Sequence, residues 1–457
     1  MPLRPTPRPA RRLAVGLALV VALTGCKDQT VTINLPPWER PPTAEVAPTP
    51  TPRPERPPSA AEPHAPNVSG LRAPGQDGQM ALVLEAWTLV RDRYVDGGFN
   101  GADWAAAYTR TMQAVRAGLD DEGFHEQMLS LLDTLADGQS QYVPQPLVAA
   151  PPLTDTAPYV GLGFGFSYDV TDDFDAATIV QVQRGSPAER AGLRPHDRVL
   201  EINGEPSIDP ALADLSDAFF DKGVLSATLK VQTPGAAVRT ITLSKARITD
   251  TLQIDARLLG GRKRVGYLFL PGLADPSALP KLREALRGLM SGGALDGLII
   301  DLRYAGGAER GADLAALPAM VGLFSAGPYG RFADRAGKGE LLTALAENLG
   351  NSQKVPLVFL TGWRTGGAIE IAAGVLRAQK RARIVGQRTE GSNERVVVHT
   401  LSDGSQVWLA EQRFVLPDGR SWARDGLAPD IDVDAPWEGF SEADDPYLRA
   451  ALDLLGR

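Results

Sequence analysis

Gly161-Leu162-Gly163-Phe164-Gly165-Phe166 is the stretch on which the reading of the fold turns. Three alternating glycines invite comparison with a dinucleotide loop, which needs a strand before it and a helix after it. Here the residues that follow, Phe164 to Val170, read as a strand, so the dinucleotide reading fails on context. Glycines so placed let consecutive backbone N–H groups converge on an anion with no Cβ in the way.

Downstream, Gly185-Ser186-Pro187-Ala188-Glu189-Arg190-Ala191-Gly192-Leu193 reads as a short helix and turn. Asp197 to Gly204 then reads as an alternating strand closed by the Asn203-Gly204 hairpin signal. These two runs and the Gly-Leu-Gly-Phe loop resemble bacterial PDZ domains. The resemblance implies capture of a peptide C-terminus, by carboxylate contact with the loop and addition of the peptide backbone to the strand edge. It points to Leu162, Gly163 and Phe164 as loop contacts. A helix expected near Pro210 to Phe220 would offer Leu212, Leu215 and Phe219 as pocket walls. The plainer reading is a small β domain without a ligand.

Beyond Arg264 the pattern changes to alternating strands and helices. Strands are expected at Val265 to Leu270, Gly297 to Leu302, Val355 to Leu360 and Arg383 to Val385, with a helix over Ser277 to Met290. That alternation argues for an α/β core.

Three motifs in this core resemble the S41 family of serine peptidases, which includes the carboxyl-terminal-processing or tail-specific proteases. Asp301-Leu302-Arg303-Tyr304-Ala305-Gly306-Gly307 is similar to the family's D-L-R-x-N-x-G-G, one residue shorter and without the Asn. The resemblance gives Gly306 and Gly307 the part of oxyanion donors; the alternative is a tight strand-to-helix turn. Thr365-Gly366-Gly367-Ala368-Ile369-Glu370-Ile371 resembles S-A-S-A-S-E-I, whose middle serine is the nucleophile; that position is Gly367. Gly386-Gln387-Arg388-Thr389-Glu390-Gly391-Ser392 resembles G-x-x-[ST]-x-G-K, whose lysine deprotonates the serine; that position is Ser392. Glycine cannot form an acyl-enzyme, and a hydroxyl is no base near neutral pH. The expectation is therefore an S41 chain without the Ser/Lys dyad.

Thr365 is the one nearby hydroxyl that could substitute, with Lys380 or His399 as bases. Its alternative is N-cap of the helix beginning near Gly366, and this reading is preferred because no spacing supplies an activating base. The turn signals Ser402-Asp403-Gly404-Ser405, Pro417-Asp418-Gly419-Arg420 and Asp425 to Ile431 also resemble family elements and mark its fold.

Upstream of the Gly-Leu-Gly-Phe loop, Leu82, Leu84, Trp87, Val90 and Tyr94 recur at helical intervals. Further helical stretches run over Ala105 to Val115 and through His125 to Leu135; these stripes are read as core. The string Leu84 to Asp96 resembles the N-terminal helical segment of the same family, so the resemblance runs from about Leu82 to Leu455.

Arginines at 4, 8, 11 and 12, an apolar run from Leu13 to Leu23, and Leu23-Thr24-Gly25-Cys26 have the order of a secretory signal. The run is too short to span a bilayer. Its ending resembles a bacterial lipobox, which makes Cys26 the acylated first residue of the mature protein; the alternative is a plain signal with a chance cysteine. From Lys27 to about Pro74 the chain is proline-rich, which favours an extended spacer and could alternatively be a polyproline ligand.

Across all 457 residues, the composition is 43% hydrophobic and 22% charged, with net charge −8, so no basic surplus is available for nucleic acid. A single cysteine excludes an intramolecular disulfide, and four scattered histidines give no ligand spacing for a metal. The expected architecture is α+β multidomain: signal 1–25, stalk 26–76, helical segment 77–150, PDZ β-barrel-like domain 157–247 and S41 core of the ClpP/crotonase-like α/β type 248–457. Expected partners are protein or peptide C-termini and a membrane reached through the lipid anchor, with no cofactor, in the bacterial envelope facing the periplasm or exterior. A different enzyme on the related crotonase-like core is the remaining alternative, supported by the glycine pair alone.

Overall fold

The computed structural model describes residues 67–148, 159–167, 176–207, 225–249, 252–306 and 309–456. Cys26, the stalk up to residue 66, the pocket-wall positions Leu212, Leu215 and Phe219, and Gly307 lie outside the described residues.

Three helices open the described chain: α1 (Gln76–Arg93), α2 (Trp104–Ala117) and α3 (Asp121–Asp133). Asp103 and Asp120 start the second and third by accepting the backbone N–H groups of Ala106 and Gly123 at 2.9 Å each. Val83, Val90, Val115, Phe124 and Met128 are buried together, as helical spacing requires. Leu84 departs from the expected stripe: it faces outward and is 48% exposed, because Val83 takes the inward position beside it. The indoles of Trp87 and Trp104 each donate to the other's backbone carbonyl, pinning α1 to α2.

Strand β1 (Gln141–Val143) leads out of this bundle. The next strands are β2 (Tyr159–Gly161), β3 (Phe164–Ser167) and β4 (Ala177–Val182). Helix α4 (Pro187–Arg190) is capped by Ser186 Oγ, which accepts from Glu189 N. Strands β5 (Arg198–Ile202) and β6 (Glu205–Pro206) form the hairpin expected at Asn203-Gly204, whose φ values of 55° and 91° suit a tight two-residue turn. β7 (Ser226–Gln232), β8 (Arg239–Ser244) and β9 (Ala246–Ile248) follow. The antiparallel order β3-β4-β5-β7-β8, with β2 paired to β9, closes around Leu162, Ile179, Leu193, Val199, Leu229 and Val231.

The C-terminal part contains β10 (Asp255–Leu259), β11 (Val265–Phe269), α5 (Ala278–Met290), β12 (Gly297–Asp301), α6 (Leu317–Gly322) and β13 (Gly327–Ala333). It continues through β14 (Leu342–Ala344), β15 (Leu357–Thr361), α7 (Gly367–Ala378), β16 (Ala382–Gly386), β17 (Glu394–Thr400), β18 (Gln406–Val415), β19 (Ile431–Asp432) and α8 (Pro446–Leu454). One sheet runs β10-β11-β12-β15-β16-β19, parallel except for β10. Every residue of β11, β12 and β15 is buried, because the sheet is covered on both faces. Leu298, Ile300 and Phe359 go to one apolar cluster with α5 and α7, while Tyr267, Ile299 and Val358 go to the other with Trp437 and α8.

The second sheet, β1-β18-β13-β14 with β17 beside β18, joins the front helices to the core. Val407, Leu409 and Ala410 of β18 share the apolar cluster of α1 to α3. The helical front is therefore packed on the core rather than hung from it. No helix among the described residues is long and apolar enough to cross a membrane.

Candidate functional site

The three motifs of the core leave the C-terminal ends of three adjacent parallel strands, β12, β15 and β16, where open α/β sheets gather their functional loops. Backbone bonds draw them together. Gly366 N donates to Ala305 O at 3.2 Å, and Glu390 N donates to Thr365 O at 3.0 Å. Gln387 N donates to Thr361 O at 3.0 Å, and Thr361 Oγ1 returns a bond to Gln387 O at 2.8 Å.

Gly367 and Ser392, separate in sequence, are in direct contact. Gly367 N donates to Ser392 O and to Ser392 Oγ, each at 3.0 Å. Ser392 Oγ donates in turn to Glu390 Oε2 at 2.9 Å. Gly367 opens α7 with φ of 61°, in the left-handed region that favours glycine. A Cβ at Gly366 would lie 2.0 Å from Glu390 Oε2, so the carboxylate fills the space a side chain there would need.

The next amide of α7 is also engaged: Ala368 N donates to Asp313 Oδ2 at 2.8 Å. Asp313, on the turn over Glu309–Ala316, is buried and puts a carboxylate at the positive end of the helix. No sequence signal marked it, since it lies 55 residues from its partner. At the start of α7 both amides thus have partners within the chain, and Gly306 stands beside them, exposed.

Thr365 departs from its expected place. Gly366, not Thr365, is the N-cap residue, and it has no side chain to offer the helix amides. The Thr365 hydroxyl instead donates to Leu302 O at 2.7 Å and accepts from Gly362 N at 3.0 Å, with the residue fully buried. It clamps the β15 turn to the end of β12. Of its two candidate bases, Lys380 lies past the far end of α7, ~18 Å along a helix of this length. His399 is engaged by Glu411 at 2.7 Å.

Glu370 is the buried organiser of the third loop. Thr389 Oγ1 donates to its Oε1, and Gly391 N donates to Oε1 at 3.0 Å and to Oε2 at 3.2 Å. Burial pushes its carboxyl up to about 8 against the hydroxyl bond, with Glu390 adding like-charge repulsion. Glu394 is pushed up to about 7, again chiefly by burial and then by Asp137.

In the β2–β9 part, Leu162 is buried and Gly163 has φ of 84°. A Cβ on Gly163 would lie 2.2 Å from Ser186 Cβ, so only glycine fits. Leu162 O and Gly163 O accept from Ala188 N at 3.0 Å and Gln183 N at 2.9 Å, which fixes the loop against α4. Phe164 starts β3 and stands 6.2 Å from Phe166, ring to ring.

Residues 264–433 match Peptidase family S41 and residues 178–219 match the PDZ domain. The chain is 28% identical over 387 residues to a carboxyl-terminal-processing protease of Synechocystis sp., covering 82% of this chain and 87% of that one. It is 27% identical over 382 residues to a chloroplastic C-terminal processing peptidase of Tetradesmus obliquus, covering 80% of each. The solved photosystem II D1 C-terminal processing protease superimposes with a TM-score of 0.53 at 25% identity, over 83% of this chain and 97% of that one.

Proposed function

We propose that the chain, whose residues 264–433 match Peptidase family S41 and whose residues 178–219 match the PDZ domain, captures protein C-termini without hydrolysing them, as a lipid-anchored adaptor or regulator. The observation that carries this reading is the Gly367–Ser392 contact: the two positions that resemble the family's nucleophile and base meet, and neither holds the required group. The loops keep their register while the chemistry is missing from them. Capture falls to the PDZ loop at Leu162, Gly163 and Phe164, with Leu212, Leu215 and Phe219 as pocket walls.

The anchor rests on Leu23-Thr24-Gly25-Cys26 behind its apolar run, followed by the proline-rich stalk. Acylation at Cys26 would place the folded part in the cell envelope, facing the periplasm or exterior. The reading divides the chain into signal 1–25, stalk 26–76, helical segment 77–150, PDZ domain 157–247 and core 248–457.

The test is incubation of the purified mature protein with peptides ending in apolar residues. Saturable binding without new fragments is expected, and the binding is lost when the peptide C-terminus is amidated. Turnover by the natural chain sinks the proposal.

One observation favours an active serine-type peptidase with displaced residues: Ser392 Oγ is already bonded to the Glu390 carboxylate. That reading predicts labelling by a hydroxyl-directed covalent probe at Ser392, abolished in Ser392→Ala.

A further inference from the structure

Trp437 joins the PDZ domain to the core. Its indole N–H donates to Ile179 O in β4 at 3.0 Å, while its own carbonyl accepts from His196 Nδ1 at 2.7 Å. His196 also stacks on the indole, centroids 3.9 Å apart and planes 22° apart, and its backbone N–H shares the Ile179 carbonyl at 2.8 Å. All three residues are buried. The carbonyl partner fixes the neutral imidazole with its proton on Nδ1.

The core side of the same indole carries a buried ion cluster. The Arg303 guanidinium lies 4.6 Å over the Trp437 ring and 4.8 Å over Tyr447. It holds Asp301 through Nε at 3.0 Å and Nη2 at 2.6 Å, and Asp445 through Nη2 at 2.7 Å. Arg303 begins the loop that continues through Tyr304, which packs edge-on against Trp437, to Ala305, whose carbonyl receives Gly366 N. A continuous set of contacts therefore runs from the PDZ domain to the first residues of α7.

We propose that His196 and Trp437 form an acid-released latch that seats the PDZ domain against the Arg303–Gly306 loop. Neutral His196 fits the seat better than an imidazolium. The charged groups acting on it are Arg303, Asp445 and Asp301 from the core, while Asp197, its neighbour in the chain, is held by Arg239 and Thr233. Arg303 opposes a second positive charge, and the two core carboxylates are already spent on Arg303. Burial first, with Arg303 adding to it, holds the imidazole below its usual range, against the pull of the Trp437 carbonyl.

The direction follows from that depression. The share of seating that needs neutral His196 is complete above the free imidazole value of about 6.5, and it is lost as pH falls through the lower, seated value. Each pH unit between the free value and the seated value weakens seating by up to about tenfold, and the loss is complete below the seated value. Release would free the Arg303–Gly306 loop from Trp437 and change how the cleft beside Gly367 presents itself. The latch does not depend on whether that cleft is catalytic.

Amide hydrogen exchange of the full chain tests this, corrected for the intrinsic pH dependence of exchange. Followed between pH 7.5 and 5.0, peptides spanning residues 176–200 and 433–441 should lose protection by up to about tenfold per pH unit as pH falls from about 6.5 toward the seated value. Peptides from β15 and α7 should stay protected. His196→Asn suits the left-handed backbone at this position, where φ is 75°, and does not titrate; it should remove the pH dependence. Trp437→Phe keeps a ring but loses the bond to Ile179, so protection should be weaker at pH 7.5 with the pH dependence retained. Unchanged protection of both segments in the natural chain overturns the latch. So does loss that spreads equally to β15 and α7, or an Asn variant that follows the same pH curve as the natural chain.

Discussion

The backbone N–H of Gly367 donates to the side-chain oxygen of Ser392 at 3.0 Å, across 25 residues of sequence. Two loops that would have to meet for a serine–lysine pair to work do meet. On the proposed reading, the missing reactive groups are confined to these two side chains.

That locality makes restoration testable. Gly367→Ser with Ser392→Lys should give a folded protein that cleaves peptide tails, while each single variant should not. A serine at φ of 61° costs about 1–3 kcal/mol, so the melting temperature should fall by a few degrees. Fragment analysis by mass spectrometry checks the activity, and thermal unfolding checks the cost. An inert but folded double variant would place the defect elsewhere, the shortened Asp301–Gly307 loop being the next suspect.

Glu370 should impose a pH dependence on stability. Its folded value of about 8 lies above the ordinary carboxyl value near 4.5, so the native state holds a proton that the unfolded chain releases. Its contribution is fully present below about 4.5 and is lost as pH rises through 8. Glu394, raised to about 7, acts in the same direction. Glu370→Gln cannot ionise, so urea unfolding should show a flatter decline between pH 5 and 8, with the variant more stable than the natural chain at pH 8. The difference should be on the order of 1–3 kcal/mol.

Thr365 and Thr389 should prove structural by the same kind of experiment. Thr365→Val strips a partner from Leu302 O and from Gly362 N, and Thr389→Val strips one from Glu370 and from Leu427 N. Each leaves one buried backbone N–H unpaired, that of Gly362 or of Leu427, since Leu302 O keeps Ala305 N and Glu370 keeps Gly391 N, at about 1–3 kcal/mol. Denaturant midpoints should shift accordingly, and peptide binding to the folded protein should be unchanged.

The core was readable because its signals are local. Strands buried on both faces give unbroken apolar runs, as in residues 298–300 and 357–360, and their ends carry glycine turns. The site was half readable. Gly367 and Ser392 could be placed by resemblance to motifs, whereas Asp313 capping α7 and Trp437 bridging to Ile179 are contacts across 55 and 258 residues. Nothing in the local pattern announces such partners. Thr365 failed as a cap for a related reason: a threonine before a helix suits capping, but here the β12 carbonyl competes for the hydroxyl and wins.

Gly163→Ala should separate the PDZ loop from the rest of the fold. The added methyl would sit 2.2 Å from Ser186 Cβ and 3.3 Å from Ile248 Cδ1, on a backbone at φ of 84°. Strain at that φ costs about 1–3 kcal/mol, and relieving the overlap with a buried neighbour costs a similar amount. Ser186 cannot retreat easily, because it caps α4 through Glu189 N. The loop must therefore move, which displaces Leu162 and Phe164 on either side. The expected outcome is loss of peptide binding by fluorescence anisotropy, with exchange protection of β11, β12 and β15 retained. Binding at natural affinity in the Ala variant would mean that peptide tails are captured somewhere other than this loop.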